Sequence, residues 1–268
     1  METWYKVHTR SLRPDWATRQ RFEELIPTLD YSSSPGWPYM RESPTIGKWL
    51  RVTPDGVPDP VQVERLWYDT QQVLADNYEH VWRAFVKDEP HKISKVEAGR
   101  WRLIIAASLP VQMVWKMCLE EQNDLLNRPY LTPSAHGLAF CYGGWRRFLA
   151  VCRTKSIRYA RDISAWDINA PGWVFEIAKE LRKRLYGMPD SFWCLTMDRI
   201  YDDAYENTKI MFSKGVVVKQ EFGGFMKSGV FVTISDNSLA MVAMHVLACL
   251  RSGQHLGAIM ATGDDVIQ

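Results

Sequence analysis

Residues 256–268 read LGAIMATGDDVIQ, and the fold assignment starts from this stretch. The small and apolar residues before Gly263 predict a short strand, and the residues after Asp265 predict the start of a return strand. Asp264 and Asp265 would then lie at the tip of a hairpin. Paired carboxylates on a tight turn can hold a divalent cation that takes oxygen ligands, Mg²⁺ above all. Taken alone, however, the triplet is better explained as a solvated hairpin turn.

A second carboxylate ends another predicted strand. Residues 156–163 alternate in polarity, with the large apolar side chains on one face and Asp162 on the other. A neighbouring strand could present Asp264 beside Asp162, which would make a metal site plausible. Asp167 follows at an odd spacing of five, so the chain must bend between Asp162 and Asp167 if both serve one site. The alternative for Asp167 is a helix N-cap or first-turn acid.

Periodic apolar residues predict the other main elements. Spacings of three and four residues predict helices, and short alternating runs around a Ser-Lys-Gly turn predict a hairpin. Because both kinds of element alternate along the chain, the fold class is α/β or α+β. The predicted helices cover residues 63–85, 110–127, 171–185 and 232–251, and the predicted hairpin covers residues 209–222.

Two more groups of residues are candidates for chemistry. Ser228, Gly229, Thr233 and Asn237 form the pattern S-G-x3-T-x3-N at a predicted helix start, where helix capping and packing are the alternatives. Residues 83–102 contain six Lys or Arg and three Asp or Glu, a local surplus of cations that suits a polyphosphate. A solvated basic loop is the alternative for that segment.

Composition excludes several classes of protein. The 268 residues include 33 Lys or Arg and 31 Asp or Glu, a net charge of +2 that by itself predicts no nucleic-acid partner. Five scattered cysteines without a C-x-x-C pair argue against zinc and against a disulfide framework. The longest apolar stretch, residues 239–250, is shorter than the ~20 residues of a membrane span, so we expect no transmembrane segment.

Five segments together resemble the conserved motifs of RNA-dependent RNA polymerases of positive-strand RNA viruses. The resemblance covers residues 29–268 and is greatest to the sobemovirus-like and picornavirus-like branch. The segments occur in the family's order and at about its separations: SSSPGWPY at 32–39 (motif G), KDEPHKISKVEAGRWRLI at 87–104 (F), DISAWD at 162–167 (A), SGVFVTISDN at 228–237 (B) and GDD at 263–265 (C).

The resemblance implies a role for each matching residue. Two ions, Mg²⁺ or Mn²⁺, would be held by the motif A and motif C aspartates, and the substrates would be an RNA template, a nascent strand and nucleoside triphosphates. Arg146, Arg147, Arg153 and Lys155 either add contacts to the RNA backbone or form a solvated face. The implied site residues are Asp162, Asp264 and Asp265 for catalysis and metal binding; Lys87, Lys95 and Arg102 for the triphosphate; Asp167, Ser228, Thr233 and Asn237 for the ribose 2′-hydroxyl; and Ser34, Gly36 and Pro38 for the template RNA.

The resemblance also implies an architecture, an α+β right-hand polymerase fold. We expect fingers over residues 1–150 and 191–222, an incomplete palm with an antiparallel sheet over 151–190 and 223–268, and no thumb. The chain stops three residues after Asp265, and this pattern is typical of a polymerase cut just after motif C.

Two functions of different class follow from this pattern. The chain is either the catalytic core of an RNA-templated RNA polymerase or a catalytically incompetent fragment that acts only as an RNA- or nucleotide-binding module. We expect it in the host cytoplasm. Its recruitment to membrane-associated replication complexes, and the participation of other viral replication proteins or a protein primer, are left open by the resemblance.

Overall fold

A computed structural model describes residues 1–6, 11–187 and 189–268 of the chain. Helices and short strands alternate through this part of the chain, as the periodicity predicts. The helices are α1 (Glu2–Tyr5), α2 (Arg19–Leu25), α3 (Ile46–Trp49), α4 (Pro60–Leu74), α5 (Ile93–Glu97), α6 (Leu109–Leu126), α7 (Gly144–Thr154), α8 (Trp166–Asn169), α9 (Gly172–Leu185), α10 (Ser191–Tyr205) and α11 (Thr233–Ser252). The strands are β1 (Trp82–Val86), β2 (Leu103–Ala106), β3 (Ala160–Arg161), β4 (Lys209–Met211), β5 (Val217–Lys219), β6 (Met260–Thr262) and β7 (Asp265–Ile267).

Two sheets bring distant parts of the chain together. In the four-stranded sheet, of order β2-β1-β4-β5, β1 runs antiparallel to β2 and parallel to β4. The three-stranded sheet, of order β3-β7-β6, is antiparallel throughout, as expected for the palm. The proposed division of the chain into fingers and palm stays a prediction.

A helical core supports the three-stranded sheet. α11 packs on α9 and on β6, while α10 packs on α9 and α6. Most of α6 is buried. Ala261 in β6 and Val266 in β7 are also buried, and they belong to the same hydrophobic core cluster as the buried side chains of α6. The strand ends that carry the candidate carboxylates therefore lie on a well-packed helical core.

One predicted helix is wrong in its second half. α4 ends at Leu74, and the apolar residues near its predicted C-terminus form β1 instead. Asp76 adopts a left-handed conformation (φ 61°), which interrupts the helix. Trp82 then pairs with Ile210 in β4, so hydrogen bonding to segments far along the chain overrides the local periodicity.

The strand predicted over residues 156–163 is shorter than expected. Only Ala160 and Arg161 form β3, and the predicted apolar face is only partly buried: Tyr159 is 70% exposed, whereas Ile163 packs on the core. The helices predicted over 110–127, 171–185 and 232–251 and the two hairpins are confirmed within a few residues.

The helix α11 corrects the expectation that no segment reaches the length of a membrane span. By length and composition alone, its 20 residues are long and apolar enough to cross a membrane. Half of its most apolar window is buried inside the protein, where residues 235–243 pack on the core. A core helix of a soluble protein has the same properties, so this finding is weak evidence for a span.

Candidate active site

A cleft of about 650 Å³ separates the basic loop before β2 from the carboxylate-bearing strand ends. Seven of the predicted site residues line it. Its walls come from four separate parts of the chain. The lining includes Lys87, Lys95, Trp101, Arg102, residues 103–105, residues 162–168, Phe225, Met226, Ser228 and Asp264.

The carboxylates predicted to be catalytic lie at adjacent strand ends. Arg161 pairs with Val266, and Thr262 pairs with Asp265, so the ladder places Asp162 opposite the hairpin turn. Gly263 turns the hairpin with a positive φ of 63°, and its N–H donates to Ser238 Oγ at 3.0 Å.

The three carboxylates are close enough for their charges to affect the pKa of Asp264. Partial burial raises the pKa of Asp264, and the negative charges of Asp265 and Asp162 raise this pKa further. Asp162 and Asp264 line the same cleft, whereas Asp265 lines a second groove of about 600 Å³ that also reaches Asp162. The roles predicted for these three residues stay predictions, but the fold brings them to one sheet edge.

The bend predicted after Asp162 is present. Ala165 adopts a left-handed conformation (φ 53°) and turns the chain into α8, so that Asp167 lies in the first turn of a helix and lines the cleft. Burial and the charge of Asp264 raise the pKa of Asp167, and Arg102 opposes them. Asp167 is therefore both a first-turn acid and a residue of the cleft.

Lys87, Lys95 and Arg102 line the same cleft as Asp162, Asp167 and Asp264, and the charge of Arg102 acts on the last two. Glu89 orients two of them through ion pairs to Lys87 at 2.8 Å and Arg102 at 2.7 Å, and these cations lower the pKa of Glu89. Half-exposed cations at this position remain accessible to an anionic ligand.

Ser228 and Gly229 fasten the loop before α11 to β2. Ser228 Oγ lies 3.4 Å from both Ile105 N and Leu103 O, and Gly229 N–H donates to Ile105 O at 3.0 Å. A Cβ on Gly229 would lie 2.7 Å from Ala106 Cα, so the close approach requires glycine. Of the four predicted ribose-sensing residues, Ser228 and Asp167 line the cleft.

Thr233 and Asn237 do not line the cleft. Thr233 Oγ1 donates to Val230 O at 2.7 Å, which is a helix-start role. Asn237 is buried, and its Oδ1 accepts from Trp166 Nε1 at 2.7 Å. Asn237 thus holds the residue next to Asp167, and its predicted contact with a ribose stays a prediction.

The three residues predicted to contact template RNA lie outside this cleft. Gly36 (φ 71°) packs so closely on Ala107 that a Cβ would lie 2.4 Å from its carbonyl oxygen. Ser34 Oγ accepts from Gly36 N at 3.3 Å, and the Trp37–Pro38 peptide is cis. This loop caps the start of α6 just beyond β2, and its RNA contacts stay a prediction.

Three aromatic residues of the cleft, Trp101, Trp166 and Phe225, were not among the site residues predicted from the sequence. Trp101 is 45% exposed and meets the His91 ring edge-on at 5.3 Å, and Phe225 lines the wall near Ser228. An exposed tryptophan between Arg100 and Arg102 was a usable signal, because aromatic side chains among cations favour nucleotides.

The donor chemistry of the cleft fits a divalent metal ion. Asp162 and Asp264 offer hard oxygen ligands whose mutual repulsion a cation would relieve. Among the described residues, no three His, Cys, Asp or Glu side chains already surround one metal position. The number of ions therefore stays a prediction.

The chain belongs to the viral RNA-dependent RNA polymerase family, whose sequence profile matches residues 17–267. It is 28% identical over 191 residues to the RNA-directed RNA polymerase of mushroom bacilliform virus, an alignment that covers 68% of this chain and 46% of that protein. It is 30% identical over 193 residues to the replicase polyprotein P2AB of Southern cowpea mosaic virus, covering 69% of this chain and 19% of the polyprotein. The resemblance inferred from the motifs is thus confirmed.

The fold is shared with a picornavirus-like enzyme. The solved structure of the Sicinivirus 3Dpol RNA-dependent RNA polymerase superposes with a TM-score of 0.65 at 22% identity, and covers 89% of this chain. The right-hand polymerase fold expected from the motifs is thereby confirmed. This chain spans 50% of that structure, and less than half the length of the two relatives described above.

Proposed function

We propose that this chain carries the catalytic centre for RNA-templated RNA synthesis, in which a nucleotide is transferred from a nucleoside triphosphate to the 3′-hydroxyl of an RNA strand. One observation carries the proposal: Asp162 and Asp264, about a hundred residues apart in sequence, line one cleft together with Lys87, Lys95 and Arg102. Membership of the viral polymerase family supports the same reaction.

Each side chain then has a distinct task. Asp162 and Asp264, with Asp265 adjacent, would hold two Mg²⁺ or Mn²⁺ ions, which activate the attacking hydroxyl and offset charge on the triphosphate. Lys87, Lys95 and Arg102 would bind the phosphate oxygens by charge-assisted hydrogen bonds. Asp167 and Ser228 would contact the ribose. Asn237 would act indirectly, through its hydrogen bond to Trp166, the residue next to Asp167.

We propose that the reaction takes place in the host cytoplasm on viral RNA. An RNA template and nucleoside triphosphates are its required partners.

Primer extension on a defined RNA template tests the proposal. The protein is compared with Asp264→Asn, which removes one charge at constant shape, and with Asp55→Asn, a matched change in an exposed loop. We expect incorporation with Mg²⁺ or Mn²⁺, a loss of at least a hundredfold in Asp264→Asn, and no change in Asp55→Asn. Incorporation that survives Asp264→Asn would refute the assignment.

A folded, RNA-binding protein without incorporation would favour the non-catalytic binding module. The same assay with deoxynucleoside triphosphates measures selection of the 2′-hydroxyl, which the proposed contacts of Asp167 and Ser228 require.

A further inference from the structure

Lys227 is fully buried, and the proposed catalysis does not use its amino group. Its Nζ donates to Gln220 Oε1 at 2.5 Å and to Gly224 O at 3.3 Å. The same atom lies 4.8 Å from the ring centre of Phe225 and 5.8 Å from that of Tyr205. A buried amine is costly unless its hydrogen bonds are made, so these contacts fix the lysine in one place.

Residues 220–228, here called the wall segment, follow β5 and end at the S-G pattern before α11. Gln220 joins the start of this segment to α10, because its buried Nε2 donates to Tyr205 O at 2.8 Å and to Gly224 O at 3.1 Å. Lys227, near the end of the segment, donates to the oxygen of the same Gln220 amide. The hydrogen bond between Lys227 and Gln220 therefore closes the wall segment on itself and holds it against α10.

The opposite side of the wall segment faces the cleft. Phe225, Met226 and Ser228 line the cleft. Phe225 N–H donates to Ala170 O at 2.9 Å, and Met226 N–H donates to Asp167 O at 2.8 Å. Phe225 has a positive φ of 61°, a conformation that a bulky residue adopts only where its surroundings enforce it. The position of this side of the cleft therefore depends on the contacts that hold the segment from behind.

We propose that Lys227 is a positioning residue for the incoming nucleotide: it holds the wall segment against α10 and thereby sets where Phe225 and Ser228 lie in the cleft. Lys227 itself is buried behind the cleft and acts on the nucleotide only through Gln220 and Gly224. The proposal rests on the proposed function, because it takes the cleft to be the nucleotide site. It adds a residue that lies outside the S-G-x3-T-x3-N pattern.

The protonation state of Lys227 makes this contact sensitive to pH. Burial lowers the pKa of Lys227 to about 7, and the charges of Asp203 and Glu206 on α10 oppose the shift. Tyr205, which packs on the same amine, stays uncharged because burial raises its pKa. If the wall segment moved away from α10, water would reach the amine and its pKa would return towards the ordinary value of a lysine. Protonation therefore favours the open segment, and the segment is held best above about pH 7.

Equilibrium binding of α,β-methylene-ATP, a triphosphate that cannot be incorporated, tests the proposal. Titration calorimetry with Mg²⁺ gives its Kd at about pH 6 and about pH 8. Lys227→Met keeps the apolar volume but removes both hydrogen bonds, so the Kd at the higher pH should rise about fivefold. Between the two pH values, the parent protein should lose roughly three- to tenfold more affinity than Lys227→Met, because only the parent can take up the proton that opens the segment.

Lys183→Met is the matched control. Lys183 is also a buried lysine, but it lies on α9 and pairs with Asp198 on α10, away from the wall segment. Its loss should leave the triphosphate affinity and its pH dependence unchanged. Gln220→Met removes the partner of Lys227 without changing the lysine, and should raise the Kd about as much as Lys227→Met. Folded Lys227→Met with the affinity and pH dependence of the parent would overturn the proposal, as would equal effects in the control.

The binding measurement is separable from the proposed catalysis, because it requires no turnover. Lys227-dependent triphosphate affinity without nucleotide incorporation would refute the catalytic proposal alone. Incorporation by the parent, with no effect of Lys227→Met on nucleotide affinity, would refute the positioning role alone. Where incorporation is present, the nucleotide KM should rise in Lys227→Met with little change in kcat, since the variant alters binding and leaves the carboxylates in place.

Discussion

Replacing Asp236 by asparagine should strongly destabilise the protein, although the side-chain shape is conserved. Asp236 and Arg182 are both fully buried, and Arg182 Nη2 lies 2.7 Å from Asp236 Oδ1. The second carboxylate oxygen accepts from Tyr201 Oη at 2.9 Å. Burial raises the pKa of Asp236, and the adjacent Arg182 guanidinium and the Tyr201 hydroxyl oppose this shift.

The magnitude follows from the charge left behind. In Asp236→Asn, the guanidinium keeps its neutral partners Gln122, Asn123 and Ser235 but loses its counter-ion in the core. Breaking a buried pair in this way costs about 3–5 kcal/mol. For a chain of this size we therefore expect the thermal midpoint to fall by roughly 10 °C.

Circular dichroism during heating, with urea unfolding as a second measure, gives the midpoints. The exposed pair of Arg184 and Glu180, also 2.7 Å apart, supplies the control. Glu180→Gln should change stability by less than about 1 kcal/mol, since solvent screens that pair. The double change Arg182→Met/Asp236→Asn should recover part of the loss, because neither charge is then buried alone. A loss below about 1 kcal/mol in Asp236→Asn would refute the reasoning.

Three further outcomes are expected. Burial lowers the pKa of Lys227 to about 7, despite the nearby charges of Asp203 and Glu206. The unfolded chain thus binds more protons between pH 7 and about 10.5, so stability rises with pH in that window, and Lys227→Met should flatten the rise in urea midpoints. Gly229→Ala should lower the free energy of unfolding by about 1–3 kcal/mol, because the new methyl group overlaps β2. Gly257→Ala, where there is room for a methyl group, should leave stability unchanged. Equal unfolding midpoints for the two variants would contradict this expectation. Trp166→Phe removes the hydrogen-bond donor to buried Asn237 and should lower the free energy of unfolding by about 1–3 kcal/mol. It should also reduce selection of ribonucleotides over deoxyribonucleotides. Unchanged selection would contradict the role predicted for Asn237.

Local sequence patterns were sufficient for most elements and for the bend beside the candidate site. The apolar stripe that ends at Gly187 predicted α9, and the Gly-Asp-Asp turn predicted the β6–β7 hairpin. The odd spacing of Asp162 and Asp167 predicted the bend that Ala165 supplies. Each of these inferences depends on residues within about fifteen positions of one another, the range over which periodicity and turn chemistry act.

The sequence-based predictions failed where contacts with distant segments outweigh the local conformational preference. The periodicity before Phe85 fits a helix, but β1 gains a ladder with β2 on one side and β4, more than a hundred residues away, on the other. Nothing near Asn237 indicated that its side chain would be buried against Trp166, which lies 71 positions away.

The sequence by itself determined which side chains were available for catalysis, because residue type and spacing fix chemistry and local geometry. Only the tertiary structure decided that Asp162 and Asp264 share a cleft with Arg102, since that meeting requires the β3–β7 ladder and the packing of α11 beneath it.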